Sequence, residues 1–172
     1  MRPERKNLNT RIFILLIFIF SIGYNLPVAA ITFDEDEYTL LELEYKRQSL
    51  GNGIETYIYN DSIYILLLDI VSALELNISV DEYEARGIIE NQNDEFSLTK
   101  TNTEWQVAIN GETKGIPEEE VVLHGGYIYV KDTTIEHWFG VRFQLAYAEL
   151  TLAFTATKKL PVIQRLNRQN RK

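Results

Sequence analysis

The chain predicts an α+β fold in which two related strand–helix–strand halves and their β-hairpins pack into one compact body. Three observations predict it. Apolar residues alternate with polar ones through most of residues 39–157, as they do on strands with one wet face. That alternation gives way twice to a helical period. The segment around Ile63-Tyr64-Ile65 also recurs at an offset of 65 residues as Ile128-Tyr129-Val130.

Residues 1–30 read as a secretory signal peptide, which places the chain outside the cytoplasm, in the periplasm or associated with the envelope. Arg2, Arg5, Lys6 and Arg11 give a positive start, and residues 12–22 are an uncharged apolar run. Gly23 and Pro27 break that run, and Val28-Ala29-Ala30 supplies small residues for cleavage. The run is shorter than the ~20 residues that span a bilayer comfortably. Cleavage after Ala30 and retention as an N-terminal anchor are both open.

Residues 31–38, with Asp34-Glu35-Asp36-Glu37, read as a solvated acidic leader. They lack the spaced oxygens and the turn glycine of a calcium loop. Leu41, Leu43 and Tyr45 then alternate with Glu42, Glu44 and Lys46 as a strand. Gly51-Asn52-Gly53 is expected to reverse the chain, and residues 54–59 alternate back, so 40–59 reads as a hairpin. Asn60-Asp61 marks the next turn, before the short strand Ile63–Ile65.

Leu67, Ile70, Val71 and Leu74 then fall on one face of a helix. Extended segments follow at Ile78–Val80 and Gly87–Ile89. Phe96–Lys100 and Trp105–Ile109 form another hairpin, after a turn over the polar cluster 91–95, and Asn110-Gly111 is a further turn signal. At the 65-residue offset Ile70 falls on Ile135, Leu74 on Phe139, Leu76 on Val141, Ile78 on Phe143 and Val80 on Leu145. The second helix would bury Ile135, Trp138 and Phe139. Its expected cap is Asp132 or Thr133, with Glu136 closing a capping box on Thr133. Leu150, Leu152 and Phe154 make a last strand. A unit this short cannot bury its own apolar face, whereas two together can. The expected halves are about 39–110 and 111–157.

Composition excludes several functions. There is no cysteine, so thiol catalysis, disulfides and cysteine-held metals are ruled out. Residues 31–157 carry 24 acidic and 7 basic side chains, a net charge of −17 that repels nucleic acid. His124, beside Gly125-Gly126 in a turn, and His137, on the wet side of a helix, have no activated serine partner and read as structural. Glu118-Glu119-Glu120 and the Glu82–Glu84 pair read as solvated faces, although their number leaves paired acids for glycan hydrolysis conceivable. Asn60-Asp61-Ser62 and Asn77-Ile78-Ser79 match the glycosylation sequon.

Two surfaces remain as candidate binding sites. Tyr57, Tyr59, Tyr64, Tyr127 and Tyr129 lie on strands, where an exposed strip would bind cell-wall glycan or a peptide strand. The alternative is that they fill half-buried strand positions. In the basic tail, residues 158–172, Leu160, Ile163 and Leu166 recur at helical spacing against Lys158, Lys159, Arg165, Arg168 and Arg171. That pattern suits an amphipathic helix on an anionic membrane or an acidic partner, or a frayed terminus.

The run of Asn110-Gly111, Val121–Val130 and Ile135–Phe143, echoed more loosely by Tyr59–Val80, resembles the copper amine oxidase N-terminal-like domain. That stalk-type α+β module is found in bacterial envelope proteins. The resemblance covers about residues 39–157 and implies no metal or cofactor, because the module is not the catalytic part of those oxidases. More weakly, the arrangement ending in Leu160-Pro161-Val162-Ile163-Gln164-Arg165-Leu166 is similar to the periplasmic N-terminal region of usher-like outer-membrane proteins. Together they imply a non-enzymatic assembly module whose partner is an envelope or outer-membrane protein. Binding to cell-wall glycan and acid-based glycan hydrolysis are the rival functions.

Overall fold

A computed structural model describes residues 31–90 and 94–169. The signal-peptide reading, most of the turn expected over residues 91–95 and Arg171 fall outside the described residues. The described residues are mostly strand, with three α-helices and two sheets. The elements are β1 (Tyr38–Tyr45), β2 (Gln48–Tyr59), β3 (Ser62–Leu66), α1 (Leu67–Ala73), β4 (Asn77–Val80), β5 (Glu84–Ile88), β6 (Glu95–Lys100) and β7 (Trp105–Ile109). They continue with β8 (Glu112–Ile116), β9 (Val121–His124), β10 (Tyr127–Lys131), α2 (Asp132–Phe139), β11 (Val141–Ala146), β12 (Thr151–Ala156) and α3 (Pro161–Gln169).

The larger sheet has seven strands in the order β11-β12-β1-β2-β3-β10-β9. All its neighbours are antiparallel except β1 and β12, which run parallel with Leu43 beside Leu152. The smaller sheet is the meander β4-β5-β6-β7-β8. Leu41, Leu43, Ile54, Ile63, Ile65, Ile128 and Val130 on the larger sheet belong to the same core cluster as Phe96, Leu98, Trp105 and Val107 on the smaller one. The helices add Ile70 and Val71, then Ile135, Trp138 and Phe139, then Val162, Ile163 and Leu166. Trp138 and Phe139 stand 5.4 and 5.5 Å from the ring of Phe96, joining α2 to the smaller sheet.

The turns explain the topology. Asn60 and Asp61 are both left-handed, as are Asn110 and Gly111, and Gly125 and Gly126. Each pair makes the two-residue reversal that matches strand twist. Helix α1 leads into left-handed Glu75 and α2 ends on left-handed Gly140, the conformation that terminates helices. Gly87 has a different task. A Cβ there would lie 1.9 Å from the Asn77 carbonyl oxygen, so only glycine lets β5 approach β4.

Three local expectations need correction. The first hairpin reverses at Lys46-Arg47, both left-handed, and Gly51 and Gly53 lie within β2. There the register slips between Glu42 and Glu44, because β2 accommodates extra residues as a bulge. Second, α2 has Lys131 at its N-cap with no side-chain bond, so the Thr133–Glu136 capping box does not form. The Glu136 carboxylate instead accepts the Phe143 backbone N–H at 2.6 Å. Third, the leader is not simply solvated. The Glu37 carboxylate accepts the Asp34 N–H at 2.8 Å, and Phe33 just before it is buried.

Candidate functional site: an aromatic face and an open sheet edge

Alternation in β2, β3 and β10 sends one set of side chains to the core and the other to the opposite face of the larger sheet. Register builds that second face. Tyr57 pairs with Tyr38 on one side and Tyr64 on the other, while Tyr129 lies between Leu66 and Val122. Four of the five candidate tyrosines, Tyr57, Tyr59, Tyr64 and Tyr129, therefore meet around one point. Tyr127 sits at the β9–β10 turn, opposite His124, and remains exposed.

That point is occupied by Phe33. Its ring stacks on Tyr57 at 4.4 Å with an interplanar angle of 8°. Tyr64, His124, Tyr129 and Tyr59 surround it at 5.1, 5.4, 5.9 and 6.4 Å. His124 thus works as a fifth ring around Phe33. Neither Phe33 nor His124 carries a sequence signal for the role, because a single ring after a signal-like segment looks like leader.

Two phenols are pinned as donors. Tyr64 Oη donates to the Glu119 carbonyl at 2.8 Å, and Tyr129 Oη lies 3.5 Å from a carboxylate oxygen of Glu55. Burial, and then the negative side chain of Glu119 near Tyr64 and of Glu55 near Tyr129, push both phenols above the usual tyrosine range. They hold their protons and offer no base. Phe33, Tyr64 and Tyr129 are buried and Tyr57 and Tyr59 are half-buried, while Tyr38 and Tyr127 on the flanks are exposed.

The acidic groups disperse. Glu118 pairs with Lys100 at 3.0 Å, Glu120 accepts the Thr134 hydroxyl at 2.9 Å, and Glu84 pairs with Arg86 at 2.9 Å. Burial raises the carboxyls of Asp69 and Asp132, and a bond from the Glu55 N–H opposes the shift at Asp69. Among the described residues no three metal-ligating side chains converge. None of their helices is long and apolar enough to cross a membrane.

The tail turns its apolar side inward. Leu160, Val162, Ile163 and Leu166 are buried in the protein's own core. Of the basic residues, Lys158 donates to the Trp138 carbonyl at 3.3 Å and Arg165 pairs with Glu75 at 2.5 Å. Lys159 and Arg168 are exposed. The apolar face that a membrane helix would need is already used.

An open site lies at the rim of the smaller sheet. Residues 112–115 of β8 are exposed. The tight Asn110-Gly111 turn makes Ile109 and Glu112 a hydrogen-bonded pair, so Lys114 and Ile116 also bond to β7. The amides and carbonyls of Thr113 and Gly115 therefore point away from the sheet. Beneath this edge is a cleft of about 370 Å³, lined by Val107, Ile109, Lys114, His137, Trp138 and Lys158 among others. At the rim of the larger sheet, by contrast, Glu136 occupies the Phe143 amide of β11.

No protein-family model, curated protein or solved structure matches this chain.

Proposed function

We propose that this chain is an exported, non-catalytic binding and assembly module of the bacterial cell envelope, a stalk-like or usher-like periplasmic domain acting through protein–protein contacts. The observation that carries the reading is the bare β8 edge. It presents outward backbone groups at Thr113 and Gly115 above an open cleft. Such an edge recruits an extended segment by adding a strand. The glycan-binding rival needs open ring faces, and Phe33 covers the centre of the tyrosine cluster.

Descent from two related halves belongs to the same proposal. Ile65 pairs with Val130, its own counterpart at the 65-residue offset, as a local two-fold axis would require. The left-handed positions Asn60-Asp61 and Glu75 correspond at that offset to Gly125-Gly126 and Gly140. On this reading β5–β8 are an elaboration between the two repeated units, and β4, the counterpart of β11, joins them in the smaller sheet.

Fractionation of cells making the tagged full-length protein tests the assignment, with intact mass and crosslinked partners read from one sample. A mass starting near Ile31, in the periplasmic fraction and crosslinked to an envelope protein, is the expected result. Uncleaved protein in the cytoplasm would overturn it.

A further inference from the structure

We infer that the β8 edge is a docking site for an extended acidic segment of another protein, one that places a carboxylate opposite Lys114. This rests on the assembly reading and names the chemistry of the partner. Three observations select that occupant.

First, the backbone groups of Thr113 and Gly115 point outward, so an added strand can bond at both residues while β8 stays paired to β7. Secondly, the edge is locally basic on an acidic body. Lys114 and Lys158 line the cleft, with Glu112 as the acid among its lining residues and the Glu104 carboxylate lying against Gly115. Arg86 and Lys100 are paired with carboxylates, whereas among the described residues Lys114 makes no ion pair. A residue directly opposite Lys114 on an added strand points to the same face, beside that lysine.

Thirdly, a second copy fits poorly. Antiparallel β8–β8 pairing that uses both Thr113 and Gly115 sets Lys114 against its own counterpart, and like charges directly opposite destabilise a pair. The register with Thr113 opposite itself carries Gly115 onto Gly111, which lies in the turn with φ 83°. Lys114 therefore guards the edge against self-association while favouring an acidic strand.

The test uses the full chain with two short synthetic peptides, one alternating threonine with aspartate and the other threonine with lysine. Amide hydrogen exchange and chemical-shift titration report binding. The aspartate peptide should slow exchange at Thr113 and Gly115, and the lysine peptide should not. Lys114→Glu should reverse the preference, by about tenfold for each peptide. Thr113→Pro removes an outward N–H that β7 does not use, so it should abolish binding with the near-UV spectrum intact. If Thr113→Pro does not fold, Lys114→Glu decides. No protection at β8, protection elsewhere, or an unchanged preference in Lys114→Glu would overturn the inference.

Crosslinking separates the two proposals. If folded Thr113→Pro keeps the wild-type crosslinks, assembly stands and the β8 site falls. If the wild type yields no crosslinks, the assembly reading falls and the peptide result alone decides the edge.

Discussion

Replacing Phe33 by alanine tests whether the N-terminal segment is part of the folded body. Phe33 is 6% exposed, with its ring 4.4 Å from Tyr57. Losing the burial of such a side chain costs about 1.5–3 kcal/mol. A well-placed aromatic pair adds about 0.5–1.5 kcal/mol beyond area. The cavity term should be small, because half-buried Tyr59 beside the socket can move into it. Together these put Phe33→Ala at about 3 kcal/mol, the low end for a buried phenylalanine. Phe33→Leu should cost less than half as much, since it keeps most of the apolar area and loses the stacking. Urea unfolding gives the free energies, and near-UV circular dichroism follows the order of the tyrosines. A loss below about 0.5 kcal/mol, the range of neutral surface changes, would refute the reasoning. So would an unchanged tyrosine spectrum, since Tyr57, Tyr64 and Tyr129 would then be held without Phe33.

Three further outcomes follow from the packing. Gly87→Ala should destabilise by at least about 1–3 kcal/mol, because its Cβ would meet backbone at 1.9 Å and β4 would have to separate from β5; urea unfolding checks this. Leu166→Ala should cost about 2–5 kcal/mol as a core truncation, measured the same way; a tail that only touches a membrane would lose almost nothing. The third concerns alkaline pH. Tyr64 and Tyr129 titrate above the unfolded value of 10.0, so the unfolded chain releases those protons first. Their contribution is complete below pH 10 and should be lost as pH rises from there through the folded values. Absorbance titration should show Tyr64 and Tyr129 ionising above the unfolded value; ionisation at that value with no alkaline loss of stability would contradict the buried, proton-holding cluster.

Much of the secondary structure was legible because it rests on local rules. Asn60-Asp61, Asn110-Gly111 and Gly125-Gly126 all adopt the left-handed reversals that their side chains favour. The stripes Leu67-Ile70-Val71 and Ile135-Trp138-Phe139 are buried as helical spacing requires. The failures arise where two local signals compete or where the partner is remote. Gly51-Asn52-Gly53 is a stronger turn signal than Lys46-Arg47, yet it became a bulge within the strand. Thr133 with Glu136 satisfies a capping pattern, but the β11 amide of Phe143 competes for the carboxylate. At the candidate site the tyrosines could be named and their periodicity read. The closure of their surface could not, because Phe33 meets Tyr64 and Tyr129 only through tertiary packing. The β8 edge was equally silent, since residues 112–116 carry little apolar signal.

The parallel pairing of β1 with β12 has a consequence for the order of events during folding. β1 gains β2 almost at once through its hairpin, but the register that sets Glu42 beside Thr151 waits for β12, the last of the described strands. Until then β1 has one bare edge, and Leu41 and Leu43 lack the neighbours that β12 supplies. Contacts so distant along the chain are closed late and slowly. A fragment ending before residue 151 should therefore hold hairpins without a finished core. The fold is fastened by its last strand, and a chain stopped short of it stays pliable.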